Sequence, residues 1–318
     1  MKITVIGCGR WGSFIAWYLQ RIGHDVTLYG RPSSDHMQEF QRTRTNGMVT
    51  LPREISLETD LAKAIANETI VVSINSQGLR SLMEELKPFH LSNKIFVLCM
   101  KGIEISTGMR LSEVVEETTD PSNHVAVWLG PGHVQEFTRG IPNCMVIDSN
   151  DDVTKHRLVE AFSGDLIRFY FGSDLIGNEI GGAAKNVIGI AAGMLDGLGL
   201  TSLKGALMSR GTREIARLIK AMGGNELSAY GLCHLGDYEA TVFSQFSNNR
   251  RFGEVFIKGE EYTKLAEGYY TVKALIHLGK NFQVDLPICN AVYATLYENA
   301  EPRQTIDSLF TRSLKQEF

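Results

Sequence analysis

The chain has 318 residues, 43% hydrophobic and 21% charged, with 31 glycines, which suits two moderate cores better than one. Its net charge of −4 with scattered basic residues argues against a nucleic-acid partner, and no apolar run is long enough to cross a bilayer. The opening "MKITVIGCGRWG" enters a strand pattern with no leader-like segment, and Cys8, Cys99, Cys144, Cys233 and Cys289 show no Cys-x-x-Cys spacing. The expectation is a cytoplasmic protein with reduced, mostly buried thiols and no membrane insertion.

Taken in chain order, the first half repeats short β-branched runs, each followed by a helical or loop stretch. Strands are predicted at 2–7, 25–30, 69–74, 94–100, 124–130, 143–148 and 167–172. Continuous apolar runs alternating with helices imply strands buried on both faces, hence a mainly parallel, doubly wound sheet. The strand runs stop near residues 172–177. Helices are predicted at 178–197, 201–223, 253–267, 269–281 and 287–299, with a loop-rich stretch over 229–253. Residues 1–175 read as an α/β domain and 176–318 as an all-α domain.

In "IGCGRWGSFIAWYLQRIGHDVTLYG", Gly7, Gly9 and Gly12 fit G-x-G-x-x-G directly after a strand. The following helix carries Phe14, Ile15, Tyr18, Leu19 and Ile22 on one face, and the second strand arrives at residue 25. Gly7 permits the tight turn, Gly9 lets backbone approach a pyrophosphate, and Gly12 lets helix and strand pack closely. The helix N-terminus offers unpaired N–H groups and a positive dipole end to that anion. A Rossmann dinucleotide-binding domain follows. The second strand ends "LYGRPSS", with Gly30 and Arg31 where a carboxylate would hold the ribose 2′-hydroxyl of NAD. A guanidinium suits a 2′-phosphate, which favours NADP(H) while admitting NAD(H); the alternative is a solvated loop arginine.

Two lysines carry the chemistry. Lys101 in "CMKGIE" lies just past the fourth predicted strand, where ligands bind in such sheets. Lys185, beside Asn186, interrupts the apolar "EIGGAAKNVIGIAAGMLDGLG", where a buried ammonium needs a partner or must snorkel to the surface. Together they suggest an anionic or carbonyl-bearing substrate between the domains, since a lysine can protonate a carbonyl oxygen as hydride reaches its carbon. His234 and Asp237 make only a weak case for a metal, and no metal site is predicted.

These segments resemble the bacterial-type NAD(P)-dependent sn-glycerol-3-phosphate dehydrogenase family over nearly the whole chain. The carrying motifs are "GCGRWGSFIA" (7–16), "MKGIE" (100–104), "GPGHVQE" (130–136), "GNEIGGAAKNVIGIAAGMLDGLGL" (177–200), "SRGTREIARL" (209–218), "GLCHLGDYEAT" (231–241), "SNNRRFG" (247–253) and "LAEG" (265–268). The resemblance implies reversible reduction of dihydroxyacetone phosphate to glycerol 3-phosphate for phospholipid synthesis, usually by a homodimer. It also implies Lys185, Lys101 and Asp237 as catalytic residues. Substrate contacts would come from Lys101, Gly130, Lys185, Asn186, Asp237, Thr241, Ser247, Asn248 and Asn249. The cofactor would meet Gly7, Gly9, Arg10, Trp11, Gly12, Arg31, Lys101, Val134, Asn248 and Glu267.

Three positions depart from the family pattern. Asn248 stands where an arginine is usual, Gly132 replaces a serine or threonine, and Asn75 replaces a proline. The expectation is that the reaction class survives while phosphate recognition weakens or passes to Arg250 or Arg251. The alternatives are a reductase of another small carbonyl compound and a non-catalytic NADP(H) sensor. The adjacency of Lys185 and Asn186 counts against the first, and retention of Lys101, Lys185 and Asp237 against the second.

Overall fold

The structure, a computed structural model, describes residues 1–314 and residue 316. The chain divides into two compact units: Met1–Lys101 with Met109–Glu179, and Gly102–Gly108 with the chain from Ile180 onward.

The first unit is built on one sheet of eight strands: β1 Lys2–Ile6, β2 Asp25–Tyr29, β3 Ser56–Glu58, β4 Thr69–Val72, β5 Ile95–Leu98, β6 His124–Leu129, β7 Asn143–Ser149 and β8 Ile167–Phe171. Their order is β3-β2-β1-β4-β5-β6-β7-β8, so the order reverses between β1 and β4, where open α/β sheets bind ligands. β4 and β5 are buried throughout, as their unbroken apolar sequences predict. Helices α1 Arg10–Arg21, α2 Asp35–Thr43, α3 Leu61–Ala64, α4 Leu79–Leu86, α5 Leu111–Thr118, α6 Val134–Phe137 and α7 Asp152–Phe162 complete the unit. α1 buries Phe14, Ile15, Tyr18 and Leu19 in the core shared with Trp128 and Phe162, and the Tyr18 hydroxyl donates to the Phe162 carbonyl at 2.7 Å.

Two features of the sheet escape the strand pattern. β3 has only three residues, none of them buried, too few for periodicity to register. β7 runs antiparallel to β6; the connection between them carries only the four-residue α6, not the long helical crossover a parallel return usually needs.

The second unit is helical, with α8 Leu175–Gly197, α9 Lys204–Ala221, α10 Asn248–Ile257, α11 Glu267–Asn281, α12 Pro287–Tyr297 and α13 Pro302–Phe310; α8 begins in the last residues of the first unit. The helix predicted at 253–267 is displaced, and α13 was not predicted. α10 starts early because the Ser247 hydroxyl accepts the Arg250 amide at 3.3 Å. It stops at Ile257, two residues before Gly259 at φ +71°. α8 and α10 touch backbone to backbone: a Cβ at Gly193 would lie 1.9 Å from the Arg250 carbonyl oxygen, and one at Gly253 would lie 2.1 Å from that of Ile190.

Candidate active site

In the first unit the glycine fingerprint has the geometry of a dinucleotide cradle. Gly7 takes φ +113°, and a Cβ there would lie 2.1 Å from the Ser73 carbonyl oxygen at the β1–β4 reversal. A Cβ at Gly12 would lie 1.9 Å from the Gly7 carbonyl oxygen, whereas one at Gly9 meets nothing within 4 Å. Two glycines therefore close the turn, and the third leaves open space at the N-cap of α1. That is the fit a pyrophosphate needs: room at the cap, with first-turn N–H groups beside it. Arg10 and Trp11 open the same helix, and the Trp11 ring packs 5.2 Å from Phe14 and 6.2 Å from Phe137. Val134 begins α6 and is buried in the core.

The end of β2 explains why no carboxylate stands there. A Cβ at Gly30 would lie 2.6 Å from Cys8 Sγ. Arg31 follows in an exposed pair with Glu85 of α4 at 2.5 Å. The Lys101 ammonium donates to the Gly130 carbonyl at 2.6 Å, which holds it beyond the carboxyl ends of the paired strands β5 and β6. Gly132 takes φ +147°, and a Cβ there would lie 2.4 Å from the Phe137 ring; the hydroxyl residue absent from this position has no room. Asn75 caps the turn at Ser76–Gly78 by accepting the Gln77 amide at 2.9 Å.

In the second unit the opening lysine of α8 finds its partners. Lys185 Nζ lies 2.9 Å from Asp237 Oδ2 and donates to Thr241 Oγ1 at 2.8 Å. Thr241 in turn donates to the Asp237 carbonyl at 2.7 Å. Lys185 is 9% exposed, Asp237 and Thr241 1% each, so the ammonium is buried but paired, not snorkelling. Next to it, Asn186 Oδ1 accepts from Asn249 at 3.0 Å, and Asn249 Oδ1 accepts the Gly268 amide, beside Glu267 at the start of α11, at 2.9 Å.

The small residues of α8 have a structural explanation. A Cβ at Gly189 would meet Thr241 at 2.6 Å, and one at Gly197 would meet Ile257 of α10 at 2.7 Å. These glycines admit neighbouring protein segments.

The residues at the N-terminus of α10 divide by role. Ser247 caps the helix, and Asn248 Oδ1 accepts the Tyr262 hydroxyl at 3.1 Å. Arg250 is committed elsewhere: its Nη1 lies 2.7 Å from Asp196 and 3.0 Å from Glu254, and its Nε donates to the Ser244 carbonyl. These contacts engage Nε and Nη1 of Arg250 with protein acceptors and so lend no support to the expectation that Arg250 takes over a substrate phosphate. Arg251 is exposed.

Sequence comparison covers both units. Models of the NAD-dependent glycerol-3-phosphate dehydrogenase family match at residues 2–155 for the N-terminal part and 174–307 for the C-terminal part. The glycerol-3-phosphate dehydrogenase [NAD(P)+] of Thermoanaerobacter sp. (strain X514) is 39% identical over 330 residues, covering 100% of this chain and 99% of the relative. The chain belongs to the NAD-dependent glycerol-3-phosphate dehydrogenase family. A second relative of the same name, from Prosthecochloris aestuarii, is 39% identical over 100% of both chains. The crystal structure of the glycerol-3-phosphate dehydrogenase of Coxiella burnetii superposes with a TM-score of 0.92 at 28% identity, covering 98% of this chain and 99% of that one.

In this family member His234, a weak metal-ligand candidate by sequence, serves the protein scaffold. Both its ring nitrogens are engaged by protein, Nδ1 by the Gly181 carbonyl at 2.8 Å and Nε2 by the Tyr238 hydroxyl at 2.7 Å. The buried pair Arg110–Glu179, 2.6 Å apart, has no local mark in the sequence. The His234–Tyr238 contact forms across the short turn Leu235–Asp237, in a stretch with no helical periodicity to signal it.

Proposed function

We propose that the chain reversibly reduces dihydroxyacetone phosphate to sn-glycerol 3-phosphate with NAD(P)H, Lys185 protonating the ketone oxygen. The observation that carries this reading is the buried Lys185–Asp237 pair, 2.9 Å apart, in a chain related along its whole length to enzymes of that name. Gly7, Gly9 and Gly12 would hold the pyrophosphate at the N-terminus of α1, with Arg31 toward the 2′-phosphate. Bound NAD(P)H supplies the hydride that reaches the carbonyl carbon. Lys185 Nζ then gives its proton to the developing alkoxide, and in the oxidative direction it accepts that proton. Asp237 keeps the ammonium oriented, and Thr241 fixes its second donor. Lys101, anchored by the Gly130 carbonyl, brings a second positive charge to an anionic substrate. Ser247, Asn248 and Asn249, at the positive end of α10, offer neutral donors for the phosphate.

The same reading assigns the product to glycerophospholipid synthesis and the chain to a cytoplasmic homodimer, supported by the family resemblance and, for the location, by the composition. Among the described residues no helix is long and apolar enough to cross a membrane.

The test is initial-rate oxidation of NADPH and NADH with dihydroxyacetone phosphate beside unphosphorylated dihydroxyacetone. Turnover of the phosphorylated ketone, with the higher kcat/KM for NADPH, is expected. Turnover of neither ketone, while NADPH still quenches tryptophan fluorescence, points instead to a non-catalytic sensor. Preference for an unrelated carbonyl compound would mean a different reductase.

A further inference from the structure

We infer that His234 is a positioning residue for Lys185: a neutral imidazole, protonated on Nδ1, that clamps the turn carrying Asp237 onto helix α8. The inference rests on the proposed proton transfer by Lys185, but its geometry lies wholly within the second unit.

His234 and Tyr238 are both 0% exposed. Nδ1 lies 2.8 Å from the Gly181 carbonyl oxygen. A carbonyl only accepts, so Nδ1 carries the proton and Nε2 is left to accept from the Tyr238 hydroxyl, 2.7 Å away. The two rings meet edge to face, centroids 4.9 Å apart. Burial lowers the histidine pKa to about 4, which keeps both roles fixed at neutral pH. The charged groups facing it are Asp237 and Lys185.

The placement gives the clamp its consequence. In an α-helix the carbonyl of residue 181 is the acceptor for the amide of residue 185. His234 therefore grips the peptide unit one turn before Lys185, on the same side of α8. On its other side the His234 carbonyl accepts the Asp237 amide at 3.0 Å. One residue thus joins the helix that bears the ammonium to the turn that bears its carboxylate. Gly181 makes the approach feasible, since a Cβ there would already lie 3.0 Å from His234 Cβ. The Gly181 carbonyl fixes the tautomer, and the Tyr238 hydroxyl, able to donate or accept, donates to the Nε2 that this leaves bare. A proton on Nε2 would leave the Gly181 carbonyl facing an unprotonated nitrogen.

The test compares His234→Ala, His234→Asn and Tyr238→Phe, each checked for folding by circular dichroism. An asparagine amide can reproduce the Nδ1–H donor. His234→Ala is expected to lower kcat about 30-fold with the KM for NADPH unchanged; His234→Asn should recover kcat to within about threefold of wild type. Tyr238→Phe is expected to fall between them. Equal losses in His234→Ala and His234→Asn, or no loss in either, would overturn the inference. A second measurement does not depend on activity. In protein labelled with ¹⁵N-histidine, the resonance missing from His234→Asn should report a neutral Nδ1–H imidazole that does not titrate from pH 5 to 8.5. A proton on Nε2, or a titrating ring, would contradict the clamp even if His234→Ala failed to fold. Wild-type protein with no ketone turnover would remove the proposed reaction, while the ¹⁵N spectrum still decided the geometry.

Discussion

Two ion pairs, one in each unit, show how differently the same charges behave by surroundings. Arg31 and Glu85 meet at 2.5 Å with side chains 60% and 43% exposed, while Lys185 and Asp237 meet at 2.9 Å at 11% and 1%. The first is the shorter contact and the weaker one: water screens it, and holding two long side chains costs entropy. An exposed guanidinium can exchange Glu85 for another anion, which suits the contact with a 2′-phosphate proposed for Arg31. The second pair has lost most of its hydration, so each charge depends on the other. Distance alone ranks them wrongly; burial decides.

The largest expected effect is from Asp237→Ala, which leaves a buried ammonium without its carboxylate. Stability should drop by about 3–5 kcal/mol in urea unfolding, and ketone reduction should collapse with it. A loss under 1 kcal/mol would place the pair with the exposed one. Glu214 sharpens the comparison as a buried carboxyl held by amides, accepting from Ile288 at 2.8 Å and Cys289 at 3.0 Å. Burial raises its pKa from 4.5 to about 7. Between those values the folded chain keeps a proton that the unfolded chain has released, so this group lowers stability as pH rises through the window. The effect reaches about 3 kcal/mol above pH 7. Glu214→Gln should flatten that part of the stability curve, measured by urea unfolding at pH 5 and pH 8; an unchanged slope would show that the carboxyl is ionised throughout.

Smaller effects belong to the exposed pair. Arg31→Ala should raise the KM for NADPH about tenfold, about 1.4 kcal/mol, and leave that for NADH nearly unchanged. Equal changes for both cofactors would assign Arg31 to the surface. Glu85→Gln should change stability by less than about 1 kcal/mol and lower the KM for NADPH two- to threefold, because the guanidinium no longer exchanges partners.

Legibility follows the range of the interactions. The buried strands and the glycine turn are local: unbroken apolar runs such as "TIVV" and the spacing of Gly7, Gly9 and Gly12 specify them within a few residues. β3 was too short to register, and the reversal at β7 depends on what the connection between β6 and β7 lacks. Boundaries of α10 turned on a single cap at Ser247 and on Gly259. Lys185 stood out as an oddity, yet Asp237 and Thr241 lie 52 and 56 residues away, and no local pattern joins them; the family resemblance supplied the link. His234 drew notice as a weak metal ligand, because its grip on Gly181 depends on tertiary packing.

If Lys185 is the proton donor of a ketone reductase, Lys185→Met should abolish the chemistry and spare the cofactor cradle. The thioether removes the ammonium while keeping the length of the side chain. In the variant NADPH should still quench Trp11 fluorescence, as befits a cradle in the first unit, while reduction of dihydroxyacetone phosphate falls by about a thousandfold or more. Reduction within tenfold of wild type would contradict that role for Lys185 and move the proton donor elsewhere.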